Sequence, residues 1–168
     1  MPPRLCRGIL TTLIMESIEM NDDLIRIYPD WIPITENEPT RKNFEKNNRP
    51  EFGYCIVSKT HFSPGEVIAR IYSDIIRHTP ELHTVQKSSG VHIYDEWFTG
   101  LVLHSCDPNT YFDQEEETFV AIKEINSGDI VTCDYQATED FLARSFECKC
   151  GAVNCRGQMK RKLERQVD

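Results

Sequence analysis

Three cysteines crowd into eight residues near the C-terminus, Cys148, Cys150 and Cys155, and constrain this chain more than any other feature. Their C-x-C-x4-C spacing suits a metal better than a disulfide framework. The chain's seven cysteines are an odd number, and Gly151 and Gly157 let the backbone wrap an ion. Tetrahedral zinc takes four thiolate or imidazole ligands. Only three are local, so a closed structural site has to recruit a fourth from a distant segment, and Cys106 is the candidate. Ordinary thiols or a redox pair are the alternative. Cys6, Cys55 and Cys133 read as small apolar residues.

The segment around Cys106 is itself unusual. An apolar run, Leu101-Val102-Leu103, stops at His104 and gives way to Ser105-Cys106-Asp107-Pro108-Asn109, residues that turn the chain and offer polar atoms. A second apolar strand, Ile130-Val-Thr-Cys-Asp-Tyr135, ends in an acid and a phenol. The three pieces together suggest one site assembled from separated parts of the chain.

The remaining pattern is β. Phe52–Val57 and Val67–Tyr72 are strand-like, with Pro64-Gly65 as a turn between them. Ile75-Ile76 is a short third strand. His83–Gln86 and His92–Tyr94 flank Ser88-Ser89-Gly90 as a hairpin. Thr110–Phe112 and Thr118–Ile122 flank a solvated acidic tip, Glu115 to Glu117. Leu24–Tyr28 is β-prone, whereas Thr35–Glu51 is polar and reads as a surface loop or short helix. Glu139–Ser145 offers a helical turn or two, and Met159–Val167 a basic, fraying terminal helix. The apolar run within Met1–Met20 is too short to span a membrane and lacks a small-residue cleavage site. With 19 basic against 27 acidic residues, net charge −8, the chain advertises no phosphate-binding surface and tolerates a cationic substrate better.

His104-Ser-Cys-Asp-Pro-Asn109, then Gly128-Asp-Ile-Val-Thr-Cys-Asp-Tyr135, then the cysteine tail, resemble in order the motifs of SET-domain lysine methyltransferases with a post-SET zinc motif. Phe52-Gly53-Tyr54 followed by Pro64-Gly65-Glu66 resembles the opening of that domain, and the likeness runs from about Phe52 to Gly157. It implies a mostly β fold: small curved sheets, a pseudoknot in which the His-Ser-Cys segment threads beneath the tyrosine segment, and a C-terminal zinc knuckle. The implied division is an N-terminal extension and linker at 1–51, a SET-like domain at 52–145, a post-SET motif at 146–157 and a basic tail at 158–168.

The resemblance also implies S-adenosylmethionine as cofactor on one face and a lysine entering a narrow channel from the other. Tyr135 is then the catalytic phenol. Gly53, Tyr54, Leu103, His104 and Phe146 become cofactor-binding residues, and Cys106, Cys148, Cys150 and Cys155 hold structural zinc. An intracellular location, cytoplasmic or nuclear, follows, with a protein lysine or a small molecule as partner, no membrane and no direct nucleic-acid contact.

Three departures stand out. Leu103 replaces the usual Asn and offers no polar atom to the cofactor. Only the second glycine of the opening G-x-G survives, in Glu51-Phe52-Gly53. Cys133 stands where an aromatic residue is common. The short span between Tyr72 and Leu101 also leaves out much of the insert that builds a peptide groove. These features keep two other readings open: a SET-like enzyme acting on a small molecule, by methylation or another reaction such as cyclisation, and an inactive SET-like binding module.

Overall fold

The computed structural model describes residues 25–72 and 74–160. The Met1–Met20 run, Cys6, Leu24 and everything from 161 onward lie outside the described residues. Strand β1 (Phe44–Arg49) pairs antiparallel with β2 (Gly53–Ser58). Strands β3 (Val67–Arg70), β8 (Thr110–Asp113) and β9 (Thr118–Ala121) form a sheet in the order β3-β9-β8. A second three-stranded sheet orders β4 (Ile76–Arg77), β5 (Thr84–Ser88) and β6 (Val91–Tyr94) as β4-β6-β5. Strands β7 (Leu103–His104) and β10 (Thr132–Cys133) pair in parallel, and β11 (Phe146–Glu147) pairs antiparallel with β12 (Gln158–Met159). The single described α-helix, α1, is one turn at Tyr135–Thr138. The mostly β architecture of small sheets expected from the sequence is what the structure has.

The core is aromatic at its centre. Phe44 stacks on Phe62 at 5.6 Å and meets Phe98 edge-on at 5.0 Å, while Phe119 contacts both Phe98 and Phe112. Each such ring, fully buried, contributes about 1.5–3 kcal/mol. The Asp95 carboxylate is equally buried. It accepts from the backbone N–H groups of Trp97, Phe98 and Thr99, from Thr99 Oγ1 and from Tyr28 Oη. That fan of donors offsets the cost of burying a charge.

Several local expectations are corrected. Thr35–Glu51 is not a loop or short helix, because it carries β1. Only Phe44 of that strand faces the core; the following Glu-Lys-Asn-Asn-Arg residues are held by backbone pairing, so no apolar alternation marks them. The described part of Leu24–Tyr28, from residue 25, has one bridge, Arg26 to Thr40, rather than a strand. Arg26 instead turns inward, pairing with Glu38 at 2.6 Å and donating to Ile32 O. Glu139–Ser145 is not helical, and the helix lies earlier, starting at Tyr135. The Met159 end pairs as strand rather than helix, with Met159 fully buried.

Candidate active site and metal centre

Parallel pairing of β7 with β10 brings the histidine segment and the tyrosine segment side by side at their crossing. Leu103 lies opposite Thr132 and His104 opposite Cys133. Leu103 N–H donates to Val131 O, and Ser105 N–H to Cys133 O. Asn109 locks the crossing from its far end. Its Oδ1 accepts from Thr132 N–H at 2.8 Å and its Nδ2 donates to Ile130 O at 2.9 Å. Asp134 then caps α1, accepting from Gln136 N–H, and sets the direction of Tyr135.

Three rings meet there. His104 lies 5.2 Å from Tyr135 and 5.8 Å from Phe146, and Tyr135 lies 6.1 Å from Phe146. The Tyr135 backbone N–H donates to His104 Nδ1 at 3.3 Å, which leaves the ring proton on Nε2. Burial keeps His104 below its ordinary imidazole value, so this ring is neutral. The Tyr135 hydroxyl donates to Val102 O at 2.7 Å, and burial pushes the phenol well above its usual range. The phenol therefore stays protonated with its hydrogen committed, and its oxygen presents only lone pairs to an incoming group.

A cavity of about 670 Å³ opens beside these rings, within the size range of small-molecule and cofactor sites. Of the residues expected to bind cofactor, Tyr54, Leu103, His104 and Phe146 line it, as does Tyr135. Gly53 is not on the wall. It sits at φ 80° between Phe52 and Tyr54, which are, and a side chain there would be strained whatever the space. Tyr54 is half exposed, with the Lys46 ammonium 4.4 Å above its ring. Gly100, which no sequence motif marks, also lines the cavity; a Cβ there would lie 2.4 Å from His83 Nδ1.

The distant ligand is also in place. The sulfurs of Cys106, Cys148, Cys150 and Cys155 lie within 4.8 Å of one another, with Cys106 and Cys148 3.8 Å apart. A zinc tetrahedron with bonds of about 2.3 Å has sulfur–sulfur edges of about 3.8 Å. A disulfide requires about 2.05 Å. The four-thiol set thus fits zinc. Against the upward push of burial, nearby backbone N–H groups and the neighbouring thiols bring Cys150 down to about 6, favouring a thiolate.

Arg156, which spacing alone does not single out, ties this centre to the aromatic one. Its Nε and backbone N–H both donate to Cys106 Sγ at 3.3 Å, and its guanidinium reaches Asp134 at 2.6 Å and Gln136 at 2.9 Å. The only hint in the sequence is a cation directly after the last cysteine.

A SET-domain family profile matches residues 53–136, half of the chain. The chain belongs to the SET-domain family. In an alignment over 67 residues the chain is 37% identical to the histone-lysine N-methyltransferase met-2 of Caenorhabditis elegans, covering 33% of this chain and 5% of that protein. Over 97 residues the chain is 31% identical to methyltransferase flvH of Aspergillus flavus, covering 55% of this chain and 53% of that one. Among solved structures, KRYPTONITE in complex with mCHG DNA and SAH superposes with a TM-score of 0.58 at 21% identity, over 69% of this chain and 28% of that one. A second KRYPTONITE complex, with mCHH DNA, H3(1-15) peptide and SAH, gives 0.57 at 20%, over 69% and 29%. These matches place the fold, and the chain spans at most about half the length of the curated relatives. Among the described residues no helix is long and apolar enough to cross a membrane.

Proposed function

We propose that the chain is an S-adenosylmethionine-dependent methyltransferase acting on an amine, with a protein lysine as the first substrate class. The observation that carries this reading is the meeting of Tyr135, His104 and Phe146 on one cavity, pinned from behind by the four-cysteine centre. Tyr54, Leu103, His104 and Phe146 would hold the cofactor, which when bound supplies an electrophilic methyl group. Phe146 and His104 offer ring faces for a heterocycle, and the Tyr135 oxygen an electron-rich atom for a cationic centre. Methyl transfer needs three atoms in line, so positioning supplies much of the rate. With its own hydrogen directed to Val102, the Tyr135 oxygen would be left to accept a hydrogen bond from a substrate N–H. The acidic surface, net charge −8, suits a cationic substrate and argues against phosphate contact. An intracellular setting, cytoplasmic or nuclear, agrees with four cysteines kept as thiols for a metal.

A small-molecule amine is the second reading. It is favoured by the exposed apolar rim of the cavity, Phe52, Tyr54 and Leu82. The test is calorimetric binding of S-adenosylhomocysteine, followed by its release from S-adenosylmethionine on addition of lysine peptides or small amines. Micromolar binding and amine-dependent turnover that Tyr135→Phe lowers about 10²-fold are expected. No binding at millimolar ligand removes the methyltransferase reading and leaves a SET-like enzyme of another reaction, such as a cyclisation, or the inactive binding module.

A further inference from the structure

The aromatic wall accounts for orientation but not for the proton. An alkyl ammonium has a pKa of about 10.4 in water and no lone pair to offer until it is deprotonated. The cavity lining also carries an acid, Glu139, with a buried histidine behind it, and neither takes part in that orientation. Glu139 follows α1 and lines the cavity, with only 9% of its side chain exposed. One carboxylate oxygen accepts from Gln86 N–H at 2.7 Å; the other lies 3.6 Å from His92 Nδ1. His92 is 3% exposed, and that nitrogen has no hydrogen-bond partner.

The pair is held in place. Gln86 stands opposite His92 in the β5–β6 register, and its side chain clasps Asp140 through two bonds of 2.7 Å. Gln114 closes the cluster, donating to Gln86 O and Thr138 O. A rigid, dry carboxylate on a cavity wall is costly to maintain and has no structural need to be ionisable, since a glutamine would satisfy the Gln86 N–H equally well.

We propose that Glu139, backed by His92, accepts the proton that an ammonium substrate sheds before methylation. The proposal rests on the methyltransferase reading above. In the step, one N–H bond of the ammonium breaks, its electron pair stays on nitrogen, and a new O–H bond forms on Glu139. The charges of ammonium and carboxylate cancel, which an apolar cavity favours. The neutral carboxyl can then donate to the unpartnered His92 Nδ1.

The electrostatic surroundings agree. Burial raises the Glu139 carboxyl to about 7, with the Gln86 N–H opposing and Asp140 assisting. Burial also lowers His92, against Asp140, so that ring is a neutral acceptor. Cys133 and Tyr135, the other titratable groups near Glu139, are raised by burial and by its charge and stay protonated. A base poised near neutral pH is where general-base catalysis works best.

The test uses the full chain and Glu139→Gln, with Glu139→Asp as the conservative control. Three measurements are made. They are calorimetric S-adenosylhomocysteine binding, an infrared pH titration of carboxyl groups in the cofactor-product complex, and the pH dependence of S-adenosylhomocysteine release with n-butylamine and an H3(1-15) peptide as methyl acceptors. Expected are equal S-adenosylhomocysteine binding by wild type and Gln variant, and a carboxyl titrating near about pH 7 that the Gln variant lacks. Turnover should fall about 10²-fold in Glu139→Gln, with loss of the acidic limb of the profile and partial recovery in Glu139→Asp. No binding by the wild type sinks the methyltransferase reading and this proposal with it. Binding by both proteins, with an unchanged infrared titration or a wild-type pH profile in Glu139→Gln, overturns the proton-acceptor role alone.

Discussion

The two walls of the cavity are built on different physical principles. The aromatic wall of His104, Tyr135 and Phe146 is assembled from three distant segments, and its back is a small cluster in which only Cys106, Leu142, Cys148 and Met159 are fully buried. So little apolar area cannot hold the tail by itself; thiol ligation and the Arg156 bridge have to. The polar wall presents Glu139, backed outside the cavity lining by His92, Gln86 and Gln114, and needs no metal. It stands on the β4-β6-β5 sheet, whose Val85 and Ile93 belong to the main aromatic core. One wall is conditional on an ion, the other on ordinary hydrophobic burial, and each can be disturbed separately.

The largest effect separates them. Zinc removal, by chelation or by Cys150→Ser, forfeits a metal contribution of about 10–16 kcal/mol seen in small zinc sites. Hydrogen exchange should accelerate across 146–159 while protection of 84–94 holds, and elemental analysis should fall from about one equivalent of zinc to none. Simultaneous loss of protection in both segments would show that the walls are one cooperative unit.

The polar wall answers to pH instead. Glu139 has a folded pKa of about 7, raised by burial above its ordinary 4.5. A carboxyl raised on folding favours the protonated native state. Its ionised form therefore costs stability progressively as pH climbs from about 4.5 through 7, and the cost is complete above 7. At about 1.36 kcal/mol per unit, that cost is on the order of 3 kcal/mol. Glu139→Gln should melt like the wild type near pH 4.5 and several degrees higher at pH 8.5, measured by calorimetry. Equal melting temperatures at both pH values would place the carboxyl in water.

Tyr135→Phe acts within the aromatic wall. It removes the hydroxyl whose donation to Val102 O at 2.7 Å fixes the oxygen's direction. Turnover on an amine substrate should fall about 10²-fold, or about 2.7 kcal/mol, with S-adenosylhomocysteine affinity changed less than threefold. An equal drop in both would make Tyr135 a binding residue rather than a catalytic one.

The same contrast decides how much of the molecule is legible in its amino-acid sequence. Cys106 and the tail cysteines carry chemistry that demands a fourth ligand, so their meeting is legible from spacing, and Tyr135 beside His104 comes with the same motifs. Most strands of the two three-stranded sheets are legible through turn signals and alternation. Strand β1 is not, because Phe44 alone of its residues points into the core. The short helix at Tyr135 depends on the Asp134 cap closing a strand early, a choice that Ile130–Tyr135 as an apolar run does not betray. Glu139, His92, Gln86 and Gln114 are scattered single polar residues, and only folding gives them a common environment. Arg156 is hidden for the same reason: its bonds to Cys106 and Asp134 span 50 and 22 positions.

Leu103 tests the smallest difference between the walls, because it sits on the aromatic one yet supplies no polar atom. It is half buried, lines the cavity, and its backbone is already engaged with Val131 O. Leu103→Asn keeps the backbone and adds an amide facing the proposed cofactor. A hydrogen bond to a charged ligand group contributes about 1.5–3 kcal/mol, so S-adenosylhomocysteine affinity should improve by about tenfold or more. The price is the lost burial of a partly exposed side chain, about 1 kcal/mol of stability. Tighter binding with a slightly lower melting temperature would mean that the leucine leaves a cofactor contact unmade. Unchanged affinity with the same loss of stability would mean that the charged end of the ligand lies elsewhere, toward Lys149 and Arg144 at the rim of the cavity.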